Sequence, residues 1–290
     1  MAELFNNLED KFTAAQVETS KQGIDIKESF QFDELKMYFG EDYWVTDKIC
    51  IKQPKIGDIL NYGDSKFYAV ISTLCANPTS FRVQLWHSGV DWNEMSDFEL
   101  FTNLIKGFTP KETSLLFGDL NLSWFNKFHD NEKDCDILIY LPRDEEGNLI
   151  PIESLDDAII IDELLYLKII SYIRDMFDIH PKVEHAKNKA TKKAIIWEDE
   201  MNAQNEKNKG GNSNKSFLLP LVSSLVNHPG FKYKTNELKD LGIYQFMDSV
   251  KRLQTYESVT ALMKGMYSGF LDTSKLNMKK DLNWMRDLSE

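Results

Sequence analysis

The sequence predicts an α+β fold that is predominantly helical, and three observations carry that expectation. Apolar residues recur at three-to-four spacing over most of the chain, most clearly across residues 162–177. Between residues 122 and 161 this period gives way to short runs rich in β-branched and aromatic side chains, where a small antiparallel sheet is expected. Residues 205–215 contain no apolar side chain, so burial cannot offset their ordering entropy. The expected organisation is an N-terminal α+β domain at 1–204, a flexible linker at 205–215 and an all-helical C-terminal module at 216–290.

Taken in order, the first thirty residues read as a weakly amphipathic helix followed by a polar connector at 18–28. Lys36-Met37-Tyr38-Phe39 and Lys48-Ile49-Cys50-Ile51 read as short strands around a Gly40-Glu41-Asp42 turn, with Pro54 closing the second. From Ile56 to Leu74 the period is helical, and Gly57 and Gly63 suggest two helices. Phe81, Val83, Leu85 and Trp86 belong to another, stopped by Gly89. Ser96 with Glu99, and Thr109-Pro110 with Glu112, have the capping-box form, in which two side chains satisfy each other's free backbone N–H groups. The helices they open run to about Gly107 and Gly118. Residues 122–128, 136–141 and 157–161 read as strands, with a polar turn at 143–148. A wide apolar face makes 162–177 a helix, and Lys, Ala and Glu favour a polar one at 186–205. In the C-terminal module, 217–226, 243–253 and 259–267 read as helices.

Composition bounds the function. Hydrophobic residues are 42%, charged residues 28% and aromatic residues 12%, which is globular rather than disordered. A net charge of −12 repels nucleic acid and anionic membrane from most of the surface, so neither is an expected partner. Cys50, Cys75 and Cys135 are far apart and form no C-x-x-C pair, which points to reduced thiols. The N-terminus lacks a signal-peptide pattern and no apolar run is long enough to span a bilayer. The protein is expected to work where it is made.

The chain shows no phosphate-cradling glycine loop, no G-x-S-x-G elbow and no H-E-x-x-H pair. His180 and His185 stand five apart rather than four, which turns the second ring away from a shared metal, and Pro181 is expected to start a helix between them. Asp91 to Asp97 begins like a calcium loop, but Met95 occupies a ligand position and Ser96 replaces the glycine. Asp130, Glu132, Asp134 and Asp136 read as a polar loop before a strand, and Cys75 as a core thiol. Lys182, Lys187, Lys189, Lys192 and Lys193 precede Glu198, Asp199 and Glu200, the pattern of a solvated helix face. Its functional alternative is docking to an acidic partner segment, with Trp197 as anchor. No metal, cofactor or catalytic residue is expected, and binding is favoured over catalysis.

Residues 53–60 (Gln-Pro-Lys-Ile-Gly-Asp-Ile-Leu), 96–101 (Ser-Asp-Phe-Glu-Leu-Phe), 244–254 and 282–286 (Leu-Asn-Trp-Met-Arg) together resemble tail-assembly proteins of tailed bacteriophages of Gram-positive hosts. The resemblance implies a tail assembly chaperone that coats the tape-measure protein and recruits tail-tube protein in the host cytoplasm. The chain is longer than such chaperones and has a β-containing first part, which keeps open a structural place in the virion neck, tail or baseplate. An enzyme whose site is no linear motif is the third class, and self-association is left open. Phe246, Val250 and Leu253 share one helix face, with Tyr244 and Lys251 around it. Tyr244, Lys251, Trp284 and Trp197 are the expected partner-binding residues. Met247, Met263, Met266, Met278 and Met285 offer adaptable apolar surface.

Overall fold

The computed structural model describes residues 30–130, 133–144, 146–150, 158–208, 215–269, 274 and 276–288. The expected N-terminal helix and its connector lie outside them, as does 209–214 of the expected linker. The fold is α+β and predominantly helical, with eleven α-helices and two small antiparallel sheets among the described residues.

The first element is α1 (Glu34–Tyr38), which corrects the expected strand at 36–39. Asp33 accepts a hydrogen bond from the Lys36 backbone N–H at 3.2 Å, and Met37 turns inward. A four-residue apolar run cannot separate the two periods, and here the N-cap decides. Strand β1 (Tyr43–Trp44) then pairs antiparallel with β2 (Cys50–Ile51). Helices α2 (Ile56–Tyr62) and α3 (Asp64–Leu74) meet at Gly63, whose φ of +99° disfavours any side chain. Gly57 lies inside the first turn of α2.

Helices α4 (Arg82–His87), α5 (Asp97–Leu104) and α6 (Pro110–Phe117) follow the expected stops and starts. Ser96 accepts from Glu99 N at 3.0 Å, and Thr109 and Glu112 cap each other reciprocally. Residues 122–124 form a 3₁₀ turn, so β3 begins later than expected, at Phe125–Asp130. It pairs antiparallel with β4 (Cys135–Tyr140), which pairs antiparallel with β5 (Ile160–Ile161). Asp130 and Asp136 thus stand in paired strands and not in a loop. Lys127 at 2.7 Å and His129 at 3.1 Å hold the Asp136 carboxyl below its ordinary range.

Helix α7 (Glu163–Phe177) is capped by Asp162, which accepts from Leu165 N at 2.8 Å, and ends at left-handed Asp178. Residues 179–186 carry no regular structure, which corrects the helix expected at Pro181. Asn77, Thr79, Trp92 and Asn93 hydrogen-bond this stretch along its backbone, an alternative to helical pairing. Helix α8 (Lys189–Asn208) comes next, then α9 (Leu218–Asn227), α10 (Ile243–Tyr267) and α11 (Met278–Asp281). The two helices expected at 243–253 and 259–267 are one. Residues 254–258 contain neither Gly nor Pro, so nothing stops the first.

One main core takes residues from both sides of 209–214. Ile51, Ile56, Phe67, Leu116, Phe125 and Leu138 share it with α7 and with Leu218, Leu225, Leu241, Ile243 and Phe246. Backbone hydrogen bonds join the two parts directly. Ile56 N donates to Leu241 O at 3.0 Å, Ile243 N donates to Pro54 O at 3.1 Å, and Lys55 bridges Gly242. A side chain on Gly57 would lie 2.9 Å from the Lys239 carbonyl oxygen.

That approach is testable. Gly57→Ala should lower stability by about 1–3 kcal/mol, because a backbone oxygen must move. Gly107, with open space around its missing Cβ, should tolerate Ala within about 1 kcal/mol. Thermal unfolding followed by circular dichroism compares the two, and equal midpoints would refute the close approach.

Candidate functional site

The stretches that carry the phage-tail resemblance are joints. Gln53 Nε2 donates to the Tyr172 hydroxyl at 3.2 Å and to Glu41 O at 3.4 Å, tying the start of 53–60 to α7. Asp97 in 96–101 meets Arg174 of α7 at 3.1 Å, and the same guanidinium donates to Cys75 O at 2.8 and 3.1 Å. Phe98 and Phe101 lie against Tyr166. Residues 244–254 form the first half of α10, with Phe246 fully buried. Arg252 donates to the carbonyls of Trp284 (3.4 Å) and Arg286 (2.5 Å), fastening 282–286 onto α10.

The four expected partner residues divide into two kinds. Tyr244 packs half-buried against the main core, and burial, helped by the nearby carboxylates, pushes its hydroxyl up to about 12. Lys251 is paired with Asp178 at 2.6 Å, so it fastens α10 to the end of α7. Trp284 is 42% exposed and stands edge-on to Tyr256 at 5.7 Å. Trp197, at the middle of α8, is 64% exposed.

Around Trp284 the structure assembles a surface that sequence reading did not isolate. Tyr256, Met263 and Tyr267 fall on one face of α10 at i, i+7 and i+11. All three are exposed, Tyr267 to 76%. Met278 of α11 and Met285 are exposed as well, the latter to 70%. A groove of about 200 Å³ lies beside them, lined by Thr255, Val259 and Leu262 of α10 and by Asp281 and Arg286. The available signal was the i, i+7, i+11 spacing itself, hidden by dividing α10 in two. Of the expected methionines, Met247 instead packs on the core.

Cys75 is buried, and burial pushes its thiol up to about 12, far from a reactive thiolate. His87, His129, His180 and His228 each meet a carboxylate at the surface, at 2.6–3.2 Å. The buried polar residues are satisfied by the backbone: Thr102 and Thr113 bond locally, and Asn77 accepts from Ser80 N and donates to Lys182 O. No group of three or more His, Cys, Asp or Glu among the described residues could hold a metal, and no described helix is long and apolar enough to cross a membrane.

Charge is divided unevenly along the chain. Residues 1–210 carry 23 Lys and Arg against 38 Asp and Glu, a net −15, while 211–290 carry 11 against 8, a net +3. The second segment is also where a family model matches. Residues 211–289 match the model of a family described as the YomV second domain, which is phage-associated. Comparison with curated proteins and with solved structures returns no match.

The matched segment meets α3 at Asp64. Ser216 Oγ donates to this carboxylate at 2.5 Å and Leu218 N at 3.1 Å. Burial alone would raise its pKa, but these hydrogen bonds and those from Ser65 and Phe217 outweigh it and hold the carboxyl below its ordinary value. A depressed folded-state pKa adds stability above the unfolded value, roughly 3.9, and loses it as pH falls through the folded value. Asp64→Asn should therefore cost about 1 kcal/mol at pH 7. Urea unfolding at stepped pH should show that difference shrinking below about pH 4 and vanishing once Asp64 is protonated in the folded protein. A difference constant down to pH 2 would contradict the assignment.

Proposed function

We propose that this chain is a non-enzymatic phage morphogenesis factor, acting as a tail assembly chaperone that holds a helical client on the exposed face of α10 and the segment fastened to it. The observation that carries the reading is the coincidence of two facts. The segment related to a phage-associated family is the segment that exposes Tyr256, Met263, Tyr267, Trp284 and Met285 on one structure. A chaperone must hold an aggregation-prone helix without keeping it, and aromatic and methionine side chains suit that task because they repack around different apolar stripes. The tape-measure protein is such a client, being long and helical, and tail-tube protein is the second partner. The reading places the protein in the host cytoplasm.

The contrast between exposed and inward-facing aromatics gives the test. Trp284→Ala combined with Met285→Ala should leave the melting temperature within about 2 °C, since Met285 is largely solvated and Trp284 is exposed and packs on the exposed Tyr256 rather than on the main core. It should weaken capture of the same phage's tape-measure protein by at least about 30-fold, the range of interface hot spots. Tyr244→Ala should instead lower the melting temperature and leave affinity per folded molecule unchanged. Undiminished capture by the double variant would remove the site. Detection of the chain in finished virions by mass spectrometry would replace the chaperone role with a structural one.

A further inference from the structure

Helix α8 has two opposite faces of different character. Lys192, Ile195, Ile196 and Asp199, at i, i+3, i+4 and i+7, form the docked face. Ile196 is buried with Trp92 and Ala186, Lys192 pairs with Asp91, and Arg82 grips Asp199 at 2.5 and 2.8 Å. Half a turn away, Ala190, Ala194, Trp197 and Met201 follow one another at alternating steps of four and three. That is the 3.5-residue spacing of a coiled-coil seam. All four are exposed, and nothing among the described residues covers them.

We propose that this seam is the interface between two copies of the chain, with the two α8 helices antiparallel. Steric fit is the first argument. In an antiparallel pair centred between residues 195 and 196, Trp197 faces the second copy's Ala194, and Met201 faces the second copy's Ala190. Large side chains then meet small ones at every level. In a parallel pair Trp197 would meet itself, and the alanines would leave a gap.

Charge is the second argument. Within the overlap, Lys187 before the helix and Lys189 and Lys193 in its first part are basic, and Glu198 and Glu200 that follow are acidic. A parallel pair sets like against like, whereas an antiparallel pair sets each half against its opposite. Lys193 and Glu200 lie one heptad apart on the same flank, so Lys193 reaches the second copy's Glu200, and two-fold symmetry forms the contact twice. The overlap also ends where the seam turns polar. Gln204 falls opposite the second copy's Lys187, which precedes the helix. The docked face keeps its contacts with α4 throughout, so dimerisation asks no rearrangement of the monomer.

Sedimentation velocity of the full chain over a concentration series tests this. The wild type should shift from monomer to dimer, and Trp197→Glu should raise the dissociation constant by at least about 30-fold with an unchanged circular dichroism spectrum and melting temperature. Lys193→Glu and Glu200→Lys should each weaken the dimer, and the double exchange should restore it to within about threefold of wild type. His87→Ala, which removes the Glu200 contact inside the monomer, should leave the dimer intact. A chain monomeric at every concentration, or a dimer indifferent to Trp197→Glu, would overturn the interface. A double exchange no better than the single ones would overturn its antiparallel direction.

Discussion

The arrangement of this molecule follows from the burial of α7. Tyr166, Ile169, Ile170, Tyr172, Ile173, Met176 and Phe177 are all closed off from water, which leaves the helix covered on more than one side. At about 1.5–3 kcal/mol for each fully buried large apolar side chain, this stripe outweighs any single polar contact in the structure. Other elements take their places from it. Phe98 and Phe101 of α5 lie on Tyr166, and Tyr43 of β1 stacks on Tyr172 at 4.3 Å. Lys251 of α10 meets the residue that ends the helix. The Tyr166 hydroxyl is buried without a hydrogen-bond partner among the described residues, a cost of about 1–3 kcal/mol that the surrounding apolar contact exceeds.

What could be read in the sequence were the features that local chemistry decides. Ser96, Thr109 and Asp162 mark helix starts because each cap is made within three residues. Gly63 and Gly89 mark stops for the same reason. The misread elements are those decided elsewhere. The 179–186 stretch carries no regular structure because side chains about ninety to a hundred residues earlier take up its backbone groups. The meeting of 53–57 with 239–243 is a backbone contact that leaves no side-chain period, only a glycine without an evident reason. The polar tract at 205–215 was legible as a break in apolar pattern. Whether the parts on either side share a core depends on surface complementarity, and the residues around Phe246 and Leu218 join the main one.

The same distinction governs the candidate surface. Wheel geometry places Tyr244 and Lys251 around the edge of the face made by Phe246 and Val250. It does not reveal that α10 lies against both α7 and α1, so that its buried sector widens to include Tyr244, while Lys251 is taken up by Asp178. Farther along α10 those neighbours end, and the same helix turns Tyr256 and Tyr267 to solvent. Aromatic side chains are thus buried in the first half and exposed in the second, without any change in local composition that would announce it.

Helices α10 and α8 are fastened by different forces, and the difference decides what each can present. The first half of α10 is held by burial, which is insensitive to salt, so the helix can project its distal half without loosening. Helix α8 rests on a small cluster around Trp92 and on charges: Arg82 with Asp199 and Glu184, Lys192 with Asp91, His87 with Glu200. Arg82 is largely enclosed, and the Asp199 contact leads in holding its proton more firmly than usual. Ionic contacts fix orientation better than they add stability. They hold the apolar seam of α8 outward and its charged halves in a set direction. A chain of net −12 repels another copy of itself at range, but that repulsion is screened within about 8 Å at physiological salt. Association with a like-charged copy is then decided by the few charges brought into contact, and on α8 lysines precede glutamates along the helix.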